Sequence, residues 1–271
     1  MKPFTIDKIA PYLFRIVMPG NVFSYLAEGE KSAVLIDTGF GLGHYREYIE
    51  DILKGKPYVL VLTHGHLDHA GGASEFDTVY MDLKDLDLAK RHTQKEIRMT
   101  SFQNDPVTAD DFAEPKEDGY LPLEYGQIFD IGGEELEIIC LGGHTPGSVG
   151  ILFRNERILL AGDACCSFTL MFGKNESLTV REYKKNLEGV REKYRDDFDR
   201  MVYSHPHNFG GKEVLDEMIE LCGEILDGKD DHICVPSPLG GESFIAKAVN
   251  EKNIRSDGKT ANLMYSKDCL D

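Results

Sequence analysis

Hydrophobic and polar positions along the first part of the chain follow patterns typical of strands and of one helix. Runs such as YLFRIV and VFSYLAE alternate with period two, and SAVLIDTG is a continuous apolar run that ends at Asp37. Residues 43–55 instead place apolar side chains at helical spacing and stop at a glycine. These patterns predict strands at 12–17, 22–28, 32–37 and 59–62 with a helix at 43–55. The last strand, VLVL, runs directly into a group of histidines.

The second half repeats this organisation after a hairpin centred on Gly132-Gly133. Strand pairs separated by single helices indicate mixed sheets with helices outside, an α/β (α+β) fold class. Ser177 is the predicted N-cap of the helix that it opens. The predicted strands are 127–131, 135–143, 147–153, 157–163, 199–207 and 261–266, and the predicted helices are 177–194, 212–226 and, as a short candidate, 243–249.

Two segments give weaker signals. Residues 82–92 are predicted to be helical, but the rest of 82–126 is largely polar, acidic and rich in turn formers. We therefore expect a single domain over residues 1–235 with an insertion at about 82–126. Residues 236–271 are expected to form a C-terminal extension that packs on the same domain. Both segments are expected to build a substrate wall or a lid.

Composition narrows the function classes. With 271 residues, 41% hydrophobic and 28% charged, the chain can bury a sizeable core. A net charge of −17 repels polyanions, so a small-molecule substrate is expected and nucleic acid is not. No apolar run approaches the roughly 18 residues of a membrane span, and we expect a cytoplasmic protein. A homodimer remains an open alternative.

The six cysteines form no CxxC pair, so we expect thiols rather than disulfides or a thiolate zinc site. Cys165-Cys166 is interpreted as a pair of small buried residues, with an oxidisable thiol near a metal as the alternative. DTGFGLGH (37–44) lacks the third glycine of a dinucleotide-binding loop and is read as a tight strand-to-helix turn.

The stretch THGHLDHAGG places His64, His66, Asp68 and His69 within six residues. The chain has only nine histidines, and three of them lie here. Such a concentration of polar groups needs partners, and a divalent metal provides one. Imidazole and carboxylate ligands suit zinc, with manganese or iron as alternatives. Side chains two apart in an extended segment point the same way, so His64 and His66 can bind one metal. Asp68 and His69 follow a bend and can serve a second position.

Further candidate ligands follow three other predicted strands. His144 lies in LGGHTPGS, Asp163 in LLAGDACC, and His205 and His207 in MVYSHPHN. Each of these residues taken singly is more often an ordinary loop residue than a ligand. Their recurrence at strand ends, where active sites of layered α/β folds collect, favours a shared site.

These motifs, in this order, resemble the metallo-β-lactamase-fold hydrolases, a superfamily that includes glyoxalase II-like thioesterases. THGHLDH is similar to the HxHxDH signature, and LIDTG, GGHTPGS, AGD and VYSH follow the family's order. The resemblance implies a four-layer αββα sandwich with two Zn²⁺ ions, or Mn²⁺ or Fe²⁺ instead, at the sheet edge. It assigns His64, His66 and His144 to the first metal, Asp68, His69 and His205 to the second, Asp163 to both, and Asp37 to the orientation of ligands. His207 is the alternative to His205.

The same resemblance implies a metal-bound hydroxide as nucleophile, with Asp68 holding it and taking up its proton. We expect the substrate to be a small ester, thioester or lactone. The alternatives are a phosphodiesterase on the same two metals and, less favoured, a β-lactamase or a non-catalytic metal or redox module. In the apolar run 167–172, Phe168, Met171 and Phe172 are candidates for substrate contacts together with His207, and a core role for this run is an equal alternative.

Overall fold

The computed structural model describes residues 4–251 and 254–270. The predicted domain ranges 1–235 and 236–271 remain predictions, and their residues 1–3, 252, 253 and 271 lie outside the described part. The α-helices are α1 Tyr45–Leu53, α2 Leu67–Ala70, α3 Leu86–His92, α4 Lys95–Met99, α5 Val180–Tyr194 and α6 Glu213–Leu226. The strands are β1 Thr5–Ala10, β2 Leu13–Met18, β3 Val22–Glu28, β4 Ala33–Ile36, β5 Tyr58–Val61, β6 Val79–Met81, β7 Tyr120–Pro122, β8 Ile128–Asp130, β9 Glu135–Cys140, β10 Val149–Phe153, β11 Ile158–Leu160, β12 Phe168–Met171, β13 Arg200–Val202, β14 Ile233–Pro236, β15 Glu242–Ile245 and β16 Asn262–Ser266. Short 3-10 helices lie at Ala73–Glu75, Leu83–Asp85, Thr100–Phe102, Ala109–Asp111 and Lys267–Cys269.

The chain forms two compact units. Unit 1 consists of residues 1–138 and 153–156, and unit 2 of residues 139–152 and 157–271. In the described part of the chain no helix is long and apolar enough to cross a bilayer.

Unit 1 is built on a seven-stranded sheet in which β1 to β7 lie in chain order. Neighbours are antiparallel from β1 to β4 and parallel from β4 to β7. All four residues of β4 are buried, as expected for a strand that is covered on both faces of the sheet. Ile36 pairs with Val61 in the parallel register. The loops after β4 and β5 therefore leave the sheet side by side.

Residues 82–126 are held to the rest of unit 1 by a buried cation. Arg98 on α4 is 0% exposed, and its guanidinium donates to the carbonyl oxygens of Phe40 (3.0 Å), Gly71 (2.7 Å) and Ala113 (2.5 Å). Burial lowers the pKa of Arg98 to about 10, which leaves the group charged at neutral pH. The segment is thus held by charge-assisted hydrogen bonds to the loop after β4 and to the end of the histidine motif.

Unit 2 contains two sets of strands. The first set includes the end of β9 and has the order β9, β10, β11, β13. Strands β11 and β13 are parallel. A second sheet has the order β12, β16, β15, β14, in which β12 and β16 are parallel. Helices α5 and α6 present their apolar faces to the core of this unit.

The sequence-based expectation of a helix at 243–249 is wrong, whereas the strand expected at 261–266 is confirmed as β16. Residues 242–245 form β15, which is antiparallel to β14 on one side and to β16 on the other. Phe244 lies opposite Cys234 and Tyr265 in these pairings. Cross-strand pairing on both sides overrides the weak helical pattern of this short run.

The N-cap of α5 is Thr179 and not Ser177, so the predicted cap is wrong. The Thr179 hydroxyl accepts from Glu182 N (3.1 Å), and Glu182 Oε2 accepts from Thr179 N (3.0 Å). This reciprocal pair is a capping box. Ser177 is engaged elsewhere, since its hydroxyl donates to the His144 carbonyl (2.7 Å) and accepts from Phe172 N (2.9 Å).

We predict that Thr179→Ala lowers the free energy of unfolding by about 1 kcal/mol, whereas Thr179→Ser retains most of it. Hydrogen bonds from Thr179 lower the pKa of Glu182 from its ordinary 4.5. A lowered carboxyl pKa stabilises the fold above that ordinary value, and the effect is lost as pH falls through the folded-state pKa. Urea unfolding of both variants at pH 7 and near pH 3 measures this. A Thr179→Ala variant as stable as the wild type at pH 7 would contradict the capping box.

Candidate metal centre

The histidine motif occupies the loop after β5 and the short helix α2. His66 is the N-cap of α2, so His64 and His66 lie in the extended loop while Asp68 and His69 lie on the helix. His64, His66 and His69 are 2%, 5% and 0% exposed, whereas the Asp68 side chain is 18% exposed. The backbone therefore delivers three imidazoles into a buried position and leaves one carboxylate accessible to solvent.

The potential ligand atoms of this motif converge. His64 Nε2 and His66 Nδ1 are 3.1 Å apart, and the ring centroids of His64 and His69 are 4.0 Å apart. Asp68 Oδ2 is 3.6 Å from His69 Nε2. Two nitrogens bound to one tetrahedral zinc at about 2.0–2.1 Å lie roughly 3.3 Å from each other. The separation of the His64 and His66 nitrogens fits a shared metal.

Asp37, one residue past β4, determines the proton positions in this cluster. Its buried carboxylate accepts from Thr63 N (2.7 Å), Thr63 Oγ1 (2.7 Å) and His69 Nδ1 (2.8 Å). Because the Thr63 hydroxyl proton points to Asp37, Thr63 Oγ1 accepts from His64 Nδ1 at 3.0 Å. His64 and His69 thus both carry their proton on Nδ1 and present Nε2 with its lone pair. This is the tautomer that a metal-binding imidazole needs.

A second contact between the same two loops fixes the backbone of His69. Thr38 N and Thr38 Oγ1 both donate to the His69 carbonyl, at 2.7 and 2.8 Å. Thr38 Oγ1 accepts in turn from Gly72 N at 3.0 Å. The sequence LIDTG therefore supplies two adjacent side chains that order the motif, Asp37 for its rings and Thr38 for its main chain.

In unit 2 the parallel register of β11 and β13 places two predicted ligands next to each other. Leu160 pairs with Val202, and Asp163 and His205 each lie three residues beyond the paired ends. His205 Nε2 and Asp163 Oδ2 are 3.1 Å apart, and their side chains are 28% and 14% exposed. His207, the alternative ligand, is exposed. The geometry within this unit favours His205.

His144 lies in the turn after β9 and is 2% exposed. Its Nδ1 donates to the Leu170 carbonyl at 2.7 Å, so its Nε2 also carries the lone pair. The Thr145 and Ser148 hydroxyls are 2.7 Å apart and close the turn that carries the ring. The imidazole orientation is thereby set by main-chain and turn contacts inside unit 2.

The donor set supports metal binding. Three buried imidazoles, two of which donate their Nδ1–H to fixed acceptors, suit zinc better than they suit an anion or an apolar ligand. Unit 1 brings together His64, His66, Asp68 and His69 around Asp37. Unit 2 brings together Asp163 and His205 and holds His144 separately. The complete seven-residue ligand set stays a prediction.

The candidate substrate contacts differ in burial. Met171 is 0% exposed in the hydrophobic core of unit 2, so the burial favours the core alternative for this residue. Phe168 and Phe172 are partly buried, and the Phe172 ring lies 5.9 Å from that of His144. Cys165 and Cys166 are buried, and burial raises the pKa of Cys165 to about 12. Every cysteine in the described residues is a free thiol, as expected.

Sequence reasoning missed three residues near the motif. Thr63 links Asp37 to His64, Asp85 binds the backbone between the first two histidines, and His92 stacks on His66. Thr63 directly precedes the motif, and its hydroxyl could have indicated a hydrogen bond to the neighbouring histidine. Asp85 and His92 lie in the segment 82–126, 20 residues or more from the motif residues that they contact, and give no local signal.

Comparison with known proteins agrees with the motifs. Residues 17–206 match the family model of the metallo-β-lactamase superfamily. Hydroxyacylglutathione hydrolase GloC of Haemophilus influenzae is 34% identical over 145 residues, which are 52% of this chain and 64% of that protein. Human acyl-coenzyme A thioesterase MBLAC2 is 27% identical over 158 residues, 51% of this chain and 56% of the relative. The matches thus span somewhat more than half the length of these relatives.

Solved structures agree at the level of the fold. The metallo-β-lactamase from Pontibacter korlensis has a TM-score of 0.58 at 20% identity and covers 81% of this chain and 99% of its own. The sec-alkylsulfatase Pisa1 from Pseudomonas sp. has a TM-score of 0.62 at 16% identity, with 83% and 42% coverage. The predicted α/β fold class is confirmed. Because the family model spans most of the chain, and the structural neighbours share its fold, this protein belongs to the metallo-β-lactamase superfamily.

Proposed function

We propose that this protein is a metal-dependent hydrolase that cleaves thioesters. One observation carries the proposal. Asp37 fixes the Nδ1 protons of His64 and His69, so that the Nε2 atoms of both rings are available to a metal. The names of its relatives support the substrate class, since they include a hydroxyacylglutathione hydrolase, acyl-coenzyme A thioesterases and an atrochrysone carboxyl ACP thioesterase. All three names describe proteins that act on acyl thioesters.

The proposed cofactor is a pair of Zn²⁺ ions. The assignment follows the order of the motifs along the chain and the donor chemistry of each residue. The first ion would be held by His64, His66 and His144, the second by Asp68, His69 and His205, with Asp163 shared. Asp37 supports the ligands without being one.

When bound, two such metals would supply hydroxide at neutral pH and polarise the acyl carbonyl. The residues of the chain have three tasks. Asp37, through Thr63 and His69 Nδ1, keeps the ligand rings in one tautomer. Burial of the three motif histidines excludes competing water. Asp68, with its carboxylate partly exposed, accepts the proton of the attacking water while the new C–O bond forms and the C–S bond breaks.

The thioester proposal is tested with purified zinc-loaded protein against three probes: a hydroxyacyl glutathione thioester, an acyl-coenzyme A and an activated phosphodiester. We expect thioester cleavage with kcat/KM well above that for the phosphodiester. Asp68→Asn should keep the fold and lower kcat by about 10²–10⁴-fold, because the proton acceptor is lost. Asp51→Asn, an exposed carboxylate on α1, is the matched control.

Full activity of Asp68→Asn would remove that residue from the mechanism. Faster cleavage of the phosphodiester would replace the thioesterase by a phosphodiesterase. Lys174 and Arg181, both exposed, would then be the first candidates for binding the phosphate.

We predict that Asp37→Asn weakens zinc affinity by about 10–100-fold. The amide keeps the shape of the carboxylate but cannot accept from three donors at once, so one of the two histidines loses its fixed proton. Competition with a chromophoric chelator measures the affinity. Asp51→Asn again serves as the control, and wild-type affinity in Asp37→Asn would contradict the orienting role.

The last histidine ligand is tested by metal content. His205 contacts Asp163 whereas His207 is exposed. His205→Ala is therefore expected to lose about one of two zinc equivalents, and His207→Ala none. Elemental analysis after dialysis gives the stoichiometry. The reverse pattern would transfer the ligand role to His207.

A further inference from the structure

The backbone between the first two motif histidines packs directly against α3 of the inserted segment. A Cβ at Gly65 would lie 2.9 Å from the Asp85 carbonyl oxygen and 3.0 Å from Ala89 N. Both neighbours are main-chain atoms, which cannot rotate away as a side chain could. The absence of a side chain at Gly65 is what allows this approach.

Asp85, the residue that precedes α3, also bonds to that backbone. Gly65 N donates to Asp85 Oδ2 at 3.0 Å, and Asp85 is 0% exposed. A hydrogen bond to a buried carboxylate is charge-assisted and therefore stronger than a neutral one. Asp85 thus fixes the peptide that connects His64 to His66.

The other end of α3 contacts the ring of His66. The imidazoles of His66 and His92 are stacked, with centroids 5.1 Å apart and ring planes at 20°. Potential ligand atoms of the two side chains lie within 4.8 Å of each other. His92 covers one face of a candidate metal ligand, and this limits rotation of the His66 ring.

Helix α3 itself is held firmly enough to transmit this constraint. Leu88 and Ala89 are 5% and 0% exposed in unit 1. The chain after α3 is fixed by the buried Arg98, which donates to the Phe40 and Gly71 carbonyl oxygens. Burial of α3 and the Arg98 hydrogen bonds after it hold this helix against the motif.

We propose that Asp85 and His92 are positioning residues of the metal centre. Asp85 fixes the main chain between His64 and His66, and His92 fixes the plane of the His66 ring. The inference rests on the proposed metal site and gives the inserted segment a role in metal binding. Outer contacts of this kind preorganise ligands, so that less conformational freedom is lost when the metal binds.

The test measures zinc affinity by chelator competition for wild type and four variants. His92→Phe keeps a flat ring, His92→Ala removes it, and Asp85→Asn keeps an acceptor oxygen for Gly65 N without the charge. His44→Asn is the control, because His44 is an exposed histidine whose left-handed backbone suits asparagine. We expect about 10-fold weaker zinc binding in His92→Ala, a smaller loss in Asp85→Asn, and values near wild type for His92→Phe and His44→Asn.

Two further readouts separate positioning from folding. The melting temperature of each metal-free variant reports damage to the fold, and the visible spectrum of the cobalt-substituted protein reports ligand geometry. We expect His92→Ala to change the cobalt spectrum and to raise the KM for the thioester little while lowering kcat. A variant that melts early but binds zinc as wild type does would make these residues purely structural and overturn the proposal.

The remaining outcomes are distinguishable. If His92→Phe binds zinc as weakly as His92→Ala, the His92 nitrogen is itself a ligand and the positioning role is overturned. If wild type binds zinc and both His92 variants equal it, the inference fails while the proposed function stands. If wild type binds no zinc, the proposed function fails with it.

Discussion

The candidate metal centre depends on one buried carboxylate at a strand end. Asp37 accepts three hydrogen bonds from the neighbouring loop and thereby sets the proton positions of two histidines at once. This works because β4 and β5 are parallel and in register, so that the residues following Ile36 and Val61 leave the sheet together. Without that register, the rings of His64 and His69 could hold their protons on either nitrogen, and the Nε2 lone pairs would not be reserved for a metal. The register of β4 and β5 therefore determines which ring nitrogens are available to a metal.

Unit 2 uses the same device with different residues. Parallel pairing of Leu160 with Val202 brings Asp163 and His205 together three residues further on, and a carbonyl rather than a carboxylate holds His144 Nδ1. A carbonyl acceptor fixes the tautomer as Asp37 does but adds no negative charge. Negative charge beside a ligand raises its basicity. His144 therefore lacks the carboxylate that His69 has at its Nδ1.

Much of this could be predicted from the sequence, and the failures have physical causes. The apolar runs identify β4 and β5, and the HxHxDH spacing identifies the candidate ligands, because both signals are local and depend on side-chain periodicity. Ser177 failed as a cap because a tertiary contact with His144 occupies its hydroxyl, while TVRE two residues on provides the capping box. The helix prediction for residues 243–249 was wrong because this segment pairs as β15 with strands from elsewhere in the chain. Asp85 and His92 gave no signal because their contacts depend on where the segment 82–126 packs in the folded protein.

The close packing at Gly65 has a consequence for reading related sequences. Any residue larger than glycine at this position would push α3 away from the motif, and with it the ring that covers His66. A motif with glycine between the first two histidines therefore differs structurally from one with another residue there. Where the middle residue is glycine, a neighbouring segment can lie directly on the loop; where it carries a side chain, that space is filled and the first two histidines must obtain their rigidity from another source.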